Sequence, residues 1–506
     1  MKAEMKRGDW LFLGSFVLLK IIIHLPVLTR YGFHHDELYF VACGRHPAFG
    51  YVDHPPLIPW IARLADTLFP QSLFGLRIFA LLAGAVAVFL MGLLTRRLGG
   101  GRFAQAASCL AMIIAPAFLR EDNMLCIPAF ELPLWLAGFY LLARIIQEKN
   151  SKLWLWLGVV TGIELLTKHS MLFFGFGLVV ALLLTEERRQ FKSPWLYAGG
   201  AIASLIFLPN LIWQMVNGWP TVLFLRNLSS GELSGISPMQ FVAGQFLYLH
   251  PIAAPIWLCG LIFLFSPRGK PYRVLGWMFV SIFLLLLLIR SKIYYLAPAY
   301  PPLLAAGGLM LEELIRRRNW SWLRPVALGA LVLGGLLLAP IILPVLPIET
   351  LEKYVTKATF GAFQNVYELT GDLHGMYGWR ARTAIVAEVY RSLSPEEQKR
   401  TIILAGWYGP AAAIDYFGKP YGLPGAVSNH MSYYLWGLPA GPIDTVISIY
   451  VPRRTLQELF QEVLIAADVN LTEPVLPRER RFVVAVCREP KEDLHQAWAR
   501  ARNYGF

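Results

Sequence analysis

Charge is scarce in this 506-residue chain. Only 16% of its residues are Asp, Glu, Lys or Arg, whereas 56% are hydrophobic. A soluble domain carries roughly a quarter charged residues, so the shortage sets the chain in the membrane class. Cysteine is sparse too. Five are scattered along the sequence with no CxxC spacing, which argues against a zinc ribbon and a disulfide framework. No HExxH or HxH element is present, so the spacings of common zinc sites are missing. Internal repeats and low-complexity tracts are absent as well. The apolar run after the basic Met1–Arg7 segment is too long for a signal-peptide core and lacks a small-residue cleavage site, so it is expected to stay as a first membrane helix. Acidic residues are outnumbered, 33 against 46 Lys and Arg, for a formal net charge of +13. In a membrane protein that excess belongs on cytoplasmic loops, and no nucleic-acid partner is implied.

Long apolar runs are what the chain has in abundance. Trp10–Leu28, Leu76–Leu94, Val274–Ile289 and Val326–Leu346 each approach or reach the roughly 20 residues a spanning helix needs. Six basic clusters recur between such runs, from Lys2/Lys6/Arg7 to Arg316/Arg317/Arg318/Arg324. If all six face the cytoplasm, pairs of spans fit between them. The expectation is about eleven spans, near 10–28, 75–94, 103–118, 127–145, 153–167, 171–185, 195–209, 239–265, 274–290, 296–311 and 325–346, with the C-terminus outside. A large first outer loop, 29–74, then shares its side with 119–126, 168–170, 210–238 and 290–296. Beyond Pro347 the composition becomes mixed. β-rich runs at 401–406, 444–451 and 481–487 alternate with helical patterns at Arg380–Ser394, Arg454–Ala467 and Lys491–Arg500. The expected organisation is a polytopic α-helical membrane domain, 1–348, followed by an extracytoplasmic α/β domain, 349–506.

The outward loops hold the chemistry. Residues 34–60 read HHDELYFVACGRHPAFGYVDHPPLIPW. Asp36 and Glu37 follow the first span closely, and a carboxylate there can take a proton from an incoming hydroxyl. The plain alternative is a solvated acidic turn. Asp53 and His54 precede Pro55-Pro56, which stiffen the backbone. Glu121 and Asp122 lie just past the third span. These acidic groups suit either a substrate hydroxyl or a metal. Asp53, Glu121 and Asp122 are the set available to a divalent ion, and His34, His35, Asp36 and His54 are also competent ligands. No other cofactor is implied. Among the cations, Lys168 lies one helical turn from Glu164, and an intrahelical pair would account for it. Arg290 and Lys292 precede Tyr294 and Tyr295. At a bilayer edge they can bind a lipid phosphate, or merely snorkel.

In order and spacing, DELYF at 36–40, YVDHPPLIPW at 51–60, EDN at 121–123, LTK at 166–168 and KIYYLAPAYPPL at 292–303 resemble the large membrane glycosyltransferases of the GT-C type. The likeness is to bacterial members of glycosyltransferase family 39 and to the lipid A aminoarabinose and galacturonic acid transferases, and it runs through roughly residues 1–310. GPAAAIDYFG at 409–418 and SNHMSYYLWG at 428–437 also resemble the outer domain of such proteins. The resemblance implies inverting transfer of a sugar from a polyprenyl-phosphate donor to an envelope lipid or glycan acceptor, outside the bacterial cytoplasmic membrane. It matches Asp36, with Glu37 beside it, to the catalytic acidic position. It matches Lys292, with Arg290 and Lys168, to the donor phosphate. Asp53, His54, Glu121, Asp122, Tyr294 and Tyr295 fall at substrate or acceptor positions, and Glu121 and Asp122 at a motif that touches a metal in some relatives. Position 54 is usually Lys in the aminoarabinose enzymes; the His-Pro-Pro-Leu here is similar to the galacturonic acid branch.

Two other classes fit the composition. A secondary transporter would gather ionisable groups near the midplane, whereas here they gather at one face, with Glu164 the main exception. A membrane scaffold with an outer binding domain would tolerate neutral residues in place of the loop carboxylates.

Overall fold

The structure is a computed structural model and describes residues 6–230, 236–358 and 367–505. The chain divides into two compact units. One comprises the N-terminus to Leu28, Leu76–Trp213 and Ser230–Val345; the other comprises Thr29–Gly75, Gln214–Ser229 and Leu346–Phe506. The grouping departs from the linear division at 348/349, because the first loop clusters with the C-terminal residues.

The first unit is a helical bundle. Among the described residues six helices are long and apolar enough to cross a membrane: Arg7–Val27, Leu73–Arg97, Ile127–Glu148, Pro194–Val216, Lys270–Leu288 and Leu323–Ile342. Arg102–Ile114, Leu153–Leu165 and Met171–Leu183 are apolar but shorter. The single span expected at 239–265 is instead a bent pair, Pro238–Tyr248 and Pro251–Phe265, at 89°. His250 sits at the break with φ +72° and Pro251 follows it. Proline cannot extend the hydrogen-bond ladder back into the preceding helix, so the chain turns there.

Bundle packing is tightest where helix Ala254–Phe265 crosses helix Pro301–Arg318. A Cβ on Gly260 would lie 1.8 Å from the Leu303 carbonyl, and one on Gly307 1.8 Å from that of Ile256. Glycine is what lets the two backbones meet, as small residues do at helix contacts in membranes. Gly307→Leu is therefore expected to abolish a monodisperse peak in size-exclusion chromatography of the detergent-solubilised protein. Gly14→Leu, where no atom lies within 4 Å, should elute as the wild type does.

The second unit is built on a five-stranded mixed sheet. Its strands are β1 (Thr401–Ala405), β2 (Ala426–Val427), β3 (Thr445–Ile449), β4 (Phe460–Asn470) and β5 (Arg481–Pro490), in the order β2-β1-β3-β5-β4. β1 runs parallel to β2 and β3, while β5 is antiparallel to β3 and β4. β1 and β3, TIILA and TVISI, are buried at nearly every position, as strands covered on both faces are. The helix expected over Arg454–Ala467 is corrected: it stops at Leu459, and Phe460 begins β4. Edge pairing with β5 overrides helix propensity there, and Val463, Ile465 and Val469 suit an extended chain.

From β1 the chain passes into helix Tyr408–Phe417 and on to β2, whereas β3 lies on the other side of β1. Successive connections thus diverge at the carboxyl end of β1, the position at which open α/β sheets form crevices. Gly406 makes the turn possible, since a Cβ there would fall 2.0 Å from the Tyr450 carbonyl. Helix His35–Arg45 from the first loop packs on helix Tyr408–Phe417.

Candidate active site

Helix His35–Arg45 begins with a capping box in which His34 takes the place of a serine. The His34 N–H donates to Glu37 Oε2 at 2.9 Å, and His34 Nδ1 accepts from the Asp36 N–H at 3.3 Å. Glu37, fully buried, is thereby committed to the helix start. Glu37, expected beside Asp36 as a catalytic group, has this capping contact in the structure. Because Nδ1 accepts, the His34 ring proton resides on Nε2, which faces Asp372 Oδ1 at 3.9 Å. Burial, with His35 adding to it, lowers the His34 pKa to about 4.

Asp36 stands in the first turn of that helix, where the helix dipole favours negative charge. Its side chain is 38% exposed. Oδ1 accepts a 2.7 Å hydrogen bond from the Tyr408 hydroxyl. His35 Nε2 lies 3.5 Å from the same oxygen.

His34, His35 and Asp36 present three metal-competent atoms within 4.8 Å of one another. The two rings lie face to face, with centroids 3.9 Å apart and planes 35° from parallel.

Asp53 Oδ1 accepts from the Tyr39 hydroxyl at 2.9 Å, and that hydroxyl lies 2.8 Å from Ser432 Oγ. Ser432 Oγ in turn accepts from the Val52 N–H at 3.1 Å. The first loop is thus tied to the SNHMSYY stretch through Ser432. His54 is 1% exposed and packs among Tyr39, Phe40 and Tyr51. Its Nδ1 meets the Pro55 carbonyl at 2.9 Å. The ring expected at a substrate position thus stands in a packed aromatic cluster.

The other expected residues belong to the first unit. Asp122 forms a 2.6 Å ion pair with Lys20, and the two side chains are 2% and 1% exposed. Glu121 Oε2 accepts from Cys126 Sγ at 2.9 Å. Asp53, Glu121 and Asp122, the carboxylates expected as an open metal set, therefore each already meet a protein donor. Lys168 pairs with Glu131 at 2.9 Å, in place of the expected Glu164, and lies 4.5 Å from the ring centre of Tyr295 and 5.5 Å from that of Tyr294. Lys168 is only part-buried, and Glu131 meets its charge within the protein. Even so, the contact joins the LTK and KIYYL motifs. Glu121, Glu131 and Tyr294 line one small cavity of about 20 Å³. Arg290 is exposed with φ +51°, and Lys292 immediately precedes the short helix Ile293–Ala299. All five cysteines are free thiols.

Residues 53–213 match the family model described as dolichyl-phosphate-mannose-protein mannosyltransferase. That stretch contains Asp53, Glu121 and Lys168 but neither Asp36 nor Lys292. Along almost the whole chain, the fold is that of ArnT from Cupriavidus metallidurans, solved bound to undecaprenyl phosphate, with a TM-score of 0.64 over 95% of this chain and 98% of that one at 17% identity. The fold is of the GT-C type. Two relatives from Rhizobium johnstonii agree with that placement. The lipid A galacturonosyltransferase RgtD is 26% identical over 47% of this chain and 52% of its own length. The lipopolysaccharide core galacturonosyltransferase RgtA is 24% identical over 41% and 42%. The chain thus spans about half the length of the curated relatives it matches.

Residues that sequence reading passed over stand beside the expected ones: Tyr39, Asp372, Tyr408, His430 and Ser432 in the second unit, Lys20 and Glu131 in the first. Tyr39 lies in DELYF, and His430 and Ser432 in SNHMSYYLWG, both motifs noted for resemblance, so a signal existed for these. Asp372, Tyr408, Lys20 and Glu131 fall outside every quoted motif.

Proposed function

We propose that the chain transfers a glycosyl group, with inversion, from a polyprenyl-phosphate-linked sugar to a lipid or glycan acceptor of the bacterial envelope, at the outer face of the cytoplasmic membrane. Eleven crossings, with the bent pair counted as one and the three shorter apolar helices and Pro301–Arg318 added to the six long helices, and an extracytoplasmic C-terminal domain belong to this reading. The observation that carries it is Asp36: a partly exposed carboxylate held by a donated hydrogen bond at a helix N-terminus, in a chain whose fold is shared with a protein solved with undecaprenyl phosphate.

The chemistry needs a base for the acceptor and a positive field for the leaving group. Asp36 takes the acceptor's hydroxyl proton as that oxygen attacks the anomeric carbon. The bond from that carbon to the phosphate oxygen breaks, and polyprenyl phosphate departs with the electron pair. Lys292 and Arg290 supply cations for the phosphate. Lys168, already neutralised by Glu131, acts by holding Tyr294 and Tyr295. Galacturonic acid is the first sugar to test, on the strength of the relatives' names and of His-Pro-Pro-Leu at 54–57.

The deciding experiment is mass spectrometry of envelope glycolipids with and without the gene. Loss of one sugar increment supports the proposal, and identical glycolipid spectra count against it. At the level of residues, Lys292→Ala should raise the KM for the donor about 10- to 100-fold, the value of a hydrogen bond to a charged group, with a smaller change in acceptor KM. An unchanged donor KM removes Lys292 from the phosphate site.

A further inference from the structure

Tyr408 reaches Asp36 from a part of the chain 372 residues away, and its own position is strongly fixed. Its ring lies 5.4 Å from that of His430 at an angle of only 6°, and 4.5 Å from that of Tyr39. The Tyr408 N–H points to His430 Nδ1 at 3.5 Å, and His430 Nε2 meets the Gly505 carbonyl at 2.8 Å. The two contacts are compatible with one neutral tautomer, with the proton on Nε2. Burial lowers the His430 pKa and so favours that neutral ring. Tyr408 itself is 5% exposed and stands where β1 ends and its helix begins. A buried hydroxyl on a rigid platform at the carboxyl end of a parallel strand is where a group meant to hold something else in place would be built.

We infer that Tyr408 is a positioning residue for the transfer reaction: its hydroxyl fixes the orientation of the Asp36 carboxylate and favours the ionised form that accepts the acceptor's proton. The inference rests on the proposed role of Asp36. It gives the C-terminal segment a share in the chemistry, since neither β1 nor Tyr408 lies in the loop that carries the base. A hydrogen bond donated to a carboxylate stabilises the charged form. Its removal therefore disfavours ionisation, and the carboxylate needs a higher pH to act.

The test uses the full-length protein in detergent, with galacturonosyl polyprenyl phosphate as donor and lipid A as acceptor. Tyr408→Phe keeps the ring and its stacking on His430 and removes only the hydroxyl. Expected are a fall in kcat on the order of 10- to 100-fold, an unchanged donor KM, and an acid limb of the pH–rate profile moved to higher pH. Wild-type kcat with an unmoved acid limb overturns the inference, as does a fall in thermal stability with kcat intact, which would mark a purely structural tether. If the Phe variant does not accumulate as folded protein, 3-fluorotyrosine at position 408 keeps the shape and makes the hydroxyl a stronger donor. The acid limb should then move to lower pH, and a stationary limb counts against the inference. Asp36→Asn separates the two claims. Full activity in that variant defeats the parent reading, whereas an inactive Asn variant beside a fully active Phe variant defeats only the role of Tyr408.

Discussion

Asp36→Asn is expected to reduce glycosyl transfer by roughly 10²- to 10⁴-fold, the usual contribution of a positioned general base. The substitution is nearly isosteric, and the amide oxygen can still accept from Tyr408. The helix start does not depend on this side chain, because its cap is made by His34 and Glu37. Folding and donor binding should therefore survive, and the loss should fall on kcat. The measurement is initial-rate transfer in detergent beside a thermal-unfolding control. Asp36→Glu should recover part of the rate: it restores a carboxylate, one methylene out of place. A folded Asn variant with wild-type kcat would assign the base elsewhere. By contrast, Glu37→Gln should act on stability, since Glu37 is buried and accepts from the backbone.

The largest effect on stability is expected at Lys20→Met. Lys20 and Asp122 form an ion pair at 2.6 Å with almost no exposure, and Lys20 Nζ lies 3.4 Å from the Phe118 carbonyl. Removing one partner leaves the other charge buried and uncompensated, at a cost of about 3–5 kcal/mol. Little room exists for rearrangement, because Asp122 is pressed against helix Leu73–Arg97: a Cβ on Gly84 would lie 2.3 Å from Asp122 Oδ2. The double variant Lys20→Met/Asp122→Leu should be markedly more stable than Lys20→Met alone, since it removes both charges. Thermal unfolding of the single and double variants in detergent checks this. Additive losses would show that the pair is not coupled.

This pair also illustrates what a sequence does not disclose. Asp122 is legible as an acidic residue at the end of an apolar run, and so suggests a site. Lys20 is one cation inside the first apolar helix, 102 positions away, and no spacing rule connects them. A carboxylate that faces a substrate and one that neutralises a buried lysine look alike until the bundle closes. The same holds for Lys168. Helical spacing pairs it with Glu164, yet the folded bundle gives it Glu131, because the helix ends near Leu165 and Lys168 turns to another neighbour. The Arg454–Ala467 stretch shows the limit for secondary structure: the helix holds to Leu459, but from Phe460 the edge of β5 takes the chain as a strand.

The sequence by itself determined that the chain belongs in a bilayer, because scarce charge and repeated apolar runs permit no other solvent. It also located the motifs that resemble the GT-C transferases and the carboxylate proposed as base, since these depend on local order and spacing. The tertiary structure alone decided which charged groups remain for chemistry and which are used up in the fold. Glu37, His54, Asp122 and Lys168 went to caps, cores and ion pairs, while Asp36 received a hydroxyl from Tyr408. The reason is that a buried polar group must find a partner, and for Asp36, Asp122 and Lys168 that partner lies tens to hundreds of residues away, where only three-dimensional packing can supply it.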